Sequence, residues 1–136
     1  MSAPAIKIPR HLVNQILHLA QLSPDREASA LIGGRDDIPR SCYPVLTVTT
    51  GNLQPDPVSC SVALNAMQAR GESLFAVLHT HPYSPAVPNL NDRLLQEFPD
   101  TPRLIVSLNT KGVLEMRGYK LDSTNQAIEI DLELSE

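Results

Sequence analysis

The residues best suited to chemistry are His79 and His81, separated by Thr80 and followed by Pro82, with Asp92 eleven residues beyond the second histidine. They come directly after Ser73-Leu74-Phe75-Ala76-Val77-Leu78, whose apolar middle and flanking turn residues predict a strand buried on both faces. Residues i and i+2 of an extended segment point the same way, so the two imidazoles converge, and Pro82 stops the strand. Asn91 precedes Leu94, Leu95 and Phe98, a pattern that predicts a short helix capped by Asn91 with Asp92 in its first turn. Two neutral imidazoles and one carboxylate are the ligand set of an open, tetrahedral, catalytic zinc site. A lone histidine at a strand end is more often a hydrogen-bonded structural residue. A structural role, however, does not require a His-x-His pair with an acid at this distance across a Pro- and Asn-rich loop.

Zinc hydrolysis also calls for a carboxylate that takes a proton from water and returns it to the leaving amine. The candidate is Glu27, at the head of Glu27-Ala28-Ser29-Ala30-Leu31-Ile32-Gly33-Gly34, which reads as a central strand. Taken alone, an acid at a strand start is an ordinary solvent-facing charge. Glu72, Glu97 and Asp100 are alternatives, at turn or helix-end positions.

The elements that must position these groups are read from periodicity and turn residues. Residues 5–8 alternate as an opening strand, and Pro9 suits the first position of a helix that runs to about Leu22. Leu12, Ile16, Leu19 and Ala20 form its apolar stripe. His11 and His18 fall off that stripe, two turns apart and too distant to share one zinc. Residues 35–40 read as a turn, 42–50 as a strand near an edge, and 51–57 as a surface loop. A second helix is expected from a Ser61 cap to Gly71. After the site, residues 103–108 read as an apolar strand, 109–112 as a turn, and 113–121 and 127–134 as the rest of an antiparallel meander.

The chain has 136 residues, the size of one domain spanning 1–136, large enough to bury a core without disulfides or a structural metal. The expected zinc therefore serves chemistry. With 11 basic and 15 acidic side chains, a net charge of −4 and no basic run, the composition argues against nucleic acid or an anionic membrane as partner. There is no secretory apolar region and no run long enough to span a bilayer. Cys42 and Cys60 form no Cys-x-x-Cys motif and read as small apolar side chains in a reducing cytoplasm.

These residues resemble the JAMM metalloproteases, the catalytic MPN domains. The family signature is a Glu on an early strand before a Gly-containing apolar run, then His-x-His-Pro, six residues, a Ser, two residues and an Asp. Residues 27–34 are similar to the first part, and His79-Thr80-His81-Pro82 through Asp92 matches the second with the same count. Ile105-Val106-Ser107-Leu108 and Arg117-Gly118-Tyr119 are similar to the segments beyond the site in short prokaryotic members. The resemblance covers nearly the whole chain. It implies an α/β (α+β) fold, a mixed and largely antiparallel sheet flanked by helices with a cytidine-deaminase-like/MPN core.

The family serine that donates a hydrogen bond to the oxyanion falls on Asn89, whose amide is also a donor, although Asn-Leu-Asn before a helix equally suits a plain turn. Ser84 lies in the same loop at the wrong count. The resemblance thus implies one zinc held by His79, His81 and Asp92, with Glu27 as proton shuttle and Asn89 on the oxyanion. The expected reaction is hydrolysis of an amide at the Gly-Gly tail of a ubiquitin-like or sulfur-carrier β-grasp protein, with that tail laid as a strand along a sheet edge. The alternative is a non-catalytic MPN-type scaffold that retains a metal site. Amidohydrolase barrels need roughly 250 residues, and the Pro-Cys-x-x-Cys of zinc deaminases is missing. No pattern specifies the oligomeric state.

Overall fold

The computed structural model describes residues 5–22, 27–50, 52–83, 85–87, 98, 100–108, 115–124 and 126–135. A mixed sheet organises them. Its strands run in the order β3 (Ile38–Val45), β2 (Ser29–Arg35), β6 (Ser73–His81), β7 (Arg103–Ser107), β8 (Glu115–Leu121) and β9 (Ala127–Ile130). All neighbours are antiparallel except β6 and β7, which are parallel and therefore joined by a long crossover rather than a hairpin. The expected fold, a largely antiparallel mixed sheet with helices against it, is the fold observed.

One face of the sheet is covered by α1 (Arg10–Leu22), whose buried Leu12, Ile16 and Ala20 meet Ala30, Ile32, Ala76, Leu78, Leu104 and Val106. The opposite face is covered by α2 (Pro57–Ala69), through Cys60, Ala63 and Met67 against Leu31, Val45 and Val77. Because β2 and β6 carry apolar residues on both faces, they read as unbroken apolar runs.

Several boundaries differ from the sequence expectation. Pro9 closes β1 (Ile6–Pro9) rather than opening the helix; β1 pairs in parallel with β10 (Leu132–Ser135). The strand expected over 27–34 begins at Ser29, and the turn expected over 35–40 shrinks to Asp36 and Asp37. Both have positive φ, 55° and 63°, the backbone of a two-residue hairpin turn. The strand expected over 42–50 divides at Leu46, and β4 (Thr47–Thr50) pairs with β5 (Asn52–Pro55), where a loop was expected.

The second helix is capped by Asp56, not Ser61: the Asp56 carboxylate accepts from the Ser59 N–H at 3.2 Å, and Pro57 takes the first turn. Gly71, with φ of 72°, follows the Arg70 cap, as the sequence suggested. The last expected strand splits into β9 and β10, which belong to different sheets. The expected turn at 109–112 and the helix capped by Asn91 lie outside the described residues.

Candidate active site

Both histidines lie at the carboxyl end of β6, which extends through His81 rather than ending at Leu78. In antiparallel pairs, directly opposed residues share a face, and Ser29 opposes His79. Thr80 N–H donates to the Ala28 carbonyl at 2.9 Å, and the Ala28 N–H turns to the Thr80 hydroxyl at 2.8 Å, so the pairing continues beyond β2. Glu27 directly precedes this last contact, at the same end of the sheet. Ser29, His79 and His81 thus belong to the sheet face that α2 covers, at the end where β6 delivers its carboxyl terminus. Glu27 is exposed, whereas His79 and His81 are 8 % and 7 % exposed.

The neighbours of each ring constrain its protons. Nδ1 of His81 lies 2.8 Å from the Pro85 carbonyl oxygen, which only accepts, so Nδ1 carries a proton and donates it. Nε2 of His79 lies 2.9 Å from Nη1 of Arg103, which only donates, so there Nε2 carries the lone pair. Nδ1–H of His79 then donates to the Ser29 hydroxyl at 3.1 Å. In each ring Nδ1 is engaged by an oxygen, the arrangement by which neighbours orient a histidine for a metal. The donor chemistry fits a divalent cation.

Among the described residues no three His, Cys, Asp or Glu side chains cluster. The expected third ligand, Asp92, and the expected oxyanion donor, Asn89, both lie outside the described residues, as does Glu97.

The loop after His81 is tied down twice. Besides the bond from His81 to Pro85, the Tyr119 hydroxyl donates to the Ala86 carbonyl at 2.6 Å, and Ala86 is fully buried against Ile105 and Tyr119. Burial, with the nearby Glu129 carboxylate, raises the Tyr119 pKa and keeps its phenol protonated as a donor.

Glu72, one of the alternative bases, has a different job. Its carboxylate lies over Gly33 and accepts from the Tyr43 hydroxyl at 2.6 Å and the Ser41 hydroxyl at 2.9 Å. It stands seven residues before His79 on an extended segment, roughly 23 Å away. Asp100 is exposed ahead of β7. His11 is also exposed, and its Nε2–H donates to the Arg40 carbonyl on the outer edge of β3 at 2.9 Å. Burial raises Cys42 to about 11, so it stays a thiol, and neither cysteine forms a disulfide.

Sequence reasoning did not single out Ser29, Arg103 or Tyr119. Arg103 had a signal, a charge at the head of the apolar run Leu104-Ile105-Val106; Ser29 and Tyr119 are recognisable only once the register is known.

Comparison with known proteins bears on the family and the fold. Over 89 residues the chain is 34 % identical to a protein of Thermus thermophilus described as a probable TtuB-protein conjugate cleaving protease; the match takes in 62 % of this chain and 59 % of the relative's length. A solution structure of a protein from Desulfitobacterium hafniense superposes with a TM-score of 0.79 at 25 % identity, covering 96 % of this chain and 93 % of that one. The crystal structure of a JAB1/MPN domain protein from Archaeoglobus fulgidus shares the fold, with a TM-score of 0.62 at 20 % identity over 98 % of this chain and all of the other. The model describing prokaryotic homologs of the JAB domain matches residues 9–116, a span that opens at the end of β1, takes in both histidines and closes in β8, and on that match the chain belongs to the prokaryotic JAB-domain family.

Proposed function

We propose that this protein is a zinc-dependent peptidase or isopeptidase that hydrolyses an amide at the C-terminal Gly-Gly tail of a ubiquitin-like or sulfur-carrier β-grasp protein. The observation that carries the reading is the pair of enclosed imidazoles, His79 and His81, on one sheet face at the end of β6, each with Nδ1 beside an oxygen. His79, His81 and Asp92 would hold the ion. When bound, zinc supplies a Lewis acid that polarises the scissile carbonyl and acidifies water.

The chain's own residues do the rest. Glu27 accepts the proton from the attacking water and hands it to the leaving amine; its exposure suits a group that must meet both water and substrate. Asn89 donates its amide N–H to the oxyanion. Ser29 and Pro85, each at Nδ1 of one ring, orient the two imidazoles. The name of the Thermus thermophilus relative, a protease acting on a protein conjugate, supports a substrate of this class. We place the reaction in the cytoplasm: among the described residues no helix is long and apolar enough to cross a membrane, and neither cysteine is in a disulfide.

A Glu27→Gln variant tests the reading against a carrier protein whose Gly-Gly terminus is joined by an amide to a lysine peptide. Its cleavage rate is expected to fall by a factor of about 100 or more with zinc content unchanged. Cleavage at the parent rate by Glu27→Gln overturns the mechanism. A parent that binds zinc yet cleaves nothing supports the scaffold reading instead.

A further inference from the structure

A series of hydrogen bonds runs from the His81 ring to β8. Nδ1 of His81 donates to the Pro85 carbonyl at 2.8 Å, and the Val87 N–H donates to the same oxygen at 2.8 Å, so both of its lone pairs are used. That N–H belongs to the Ala86–Val87 peptide, whose C=O, from Ala86, accepts from the Tyr119 hydroxyl at 2.6 Å. A trans peptide is planar with its N–H and C=O on opposite edges, so holding one edge sets the direction of the other. The Tyr119 phenol, the Ala86–Val87 peptide, the Pro85 carbonyl and the His81 imidazole are therefore joined in series.

The sheet register explains how Tyr119 reaches this loop. Tyr119 opposes Arg103, which opposes Val77, so its side chain stands on the face that Val77 shares with His79 and His81. There Ala86 is fully buried against Ile105 and Tyr119, whereas Val87 beside it is exposed. The loop thus doubles back from the end of β6 across β7 to β8, with Ala86 inward. The backbone of His81 is held independently, its carbonyl accepting from the Leu108 N–H at 3.0 Å. The Pro85 oxygen acts on the ring.

We propose that Tyr119 is a positioning residue for His81: its phenol holds the Ala86–Val87 peptide, that peptide holds the Pro85 carbonyl, and the carbonyl fixes the plane of the imidazole. The proposal rests on the reading that His81 is a metal ligand. It gives β8 a part in the site although two strand steps separate it from β6. Phenylalanine at position 119 fills the same space against Ile105 and Ala86 but leaves the Ala86 carbonyl without this donor, so the acceptor for His81 remains and its fixed direction is lost. A ligand lone pair is directional, which is why the partners standing behind a ligand alter metal affinity by about 10–100-fold.

The test compares the parent with Tyr119→Phe and, as a control for lowered stability, with Gly34→Ala, which crowds the β2–β3 hairpin at the end of β2 away from Ser29. Zinc affinity is measured by competition with a chromophoric chelator. Tyr119→Phe is expected to bind zinc about tenfold more weakly, the lower end of the range for a ligand's supporting partner, and Gly34→Ala to match the parent. Equal affinity in Tyr119→Phe, or the same loss in Gly34→Ala, overturns the proposal. The ring itself is followed in ¹⁵N-labelled, zinc-loaded protein. In Tyr119→Phe the His81 Nδ1–H is expected to exchange with water several-fold faster while the His79 Nδ1–H does not change; an equal change in both rings overturns the proposal. The parent supplies a check that does not depend on the variant folding: the protons on Tyr119 Oη and His81 Nδ1 are expected to show equal protection, since both are released when the loop lifts, and unequal protection overturns the proposal. A parent that takes up no zinc overturns the metal reading and this proposal with it. A parent that binds zinc, beside a Tyr119→Phe that binds it equally, overturns this proposal alone.

Discussion

One phenol oxygen fastens the loop behind His81 to the sheet. Tyr119 reaches from β8 to the Ala86 carbonyl, and because burial keeps the phenol protonated it remains a donor throughout the neutral range. In Tyr119→Phe that buried carbonyl loses its partner, at a cost of about 1–3 kcal/mol. Urea unfolding measures the loss, and a variant as stable as the parent contradicts the assignment. The chemistry of single residues was unevenly legible in the sequence. His79 and His81 declared themselves because a two-residue spacing on a strand fixes a shared face, whatever surrounds it. Ser29, Arg103 and Tyr119 act on the site from other strands, and their contacts depend on a register that no local pattern encodes. Glu27 was legible as a candidate through the need for a base, and the pairing of Ala28 with Thr80 brings it to the matching end of the sheet.

At the scale of elements, the β2–β3 hairpin shows where local reading stops. Asp36-Asp37 lacks the glycine that usually marks a two-residue turn, so residues 38–40 looked like loop although they belong to β3. The same weakness hid β5, whose turn and proline content resembled a loop, whereas β4 fell within the strand expected over 42–50. Long elements fared better: α1 was legible from its stripe, and β6 and β7 from unbroken apolar runs.

The tightness of this hairpin is set by Gly34. A Cβ there would lie 2.7 Å from the Ile38 carbonyl oxygen and 3.1 Å from Cβ of Phe75, and the oxygen belongs to backbone that cannot swing aside. Gly34→Ala is expected to destabilise the protein by about 1–3 kcal/mol, read as a lower urea midpoint. An unchanged midpoint would show that the hairpin has slack.

Across the whole molecule, the sheet is buttressed on both faces by apolar clusters that involve neither imidazole. Folding should therefore survive loss of the metal. Chelation is expected to leave the far-ultraviolet circular dichroism intact and to lower Tm only by the linkage term, about 2.7 kcal/mol if the ion stood at 100 times its Kd; unfolding on chelation would assign the ion a structural role. What the site is for depends on whether the two Nε2 atoms share one cation. The most direct test is metal content per mole of purified protein, in the parent and in His81→Ala. The account predicts about one zinc per chain in the parent and background levels in the variant. No metal in the parent after growth with zinc, or a full equivalent retained by His81→Ala, would contradict it.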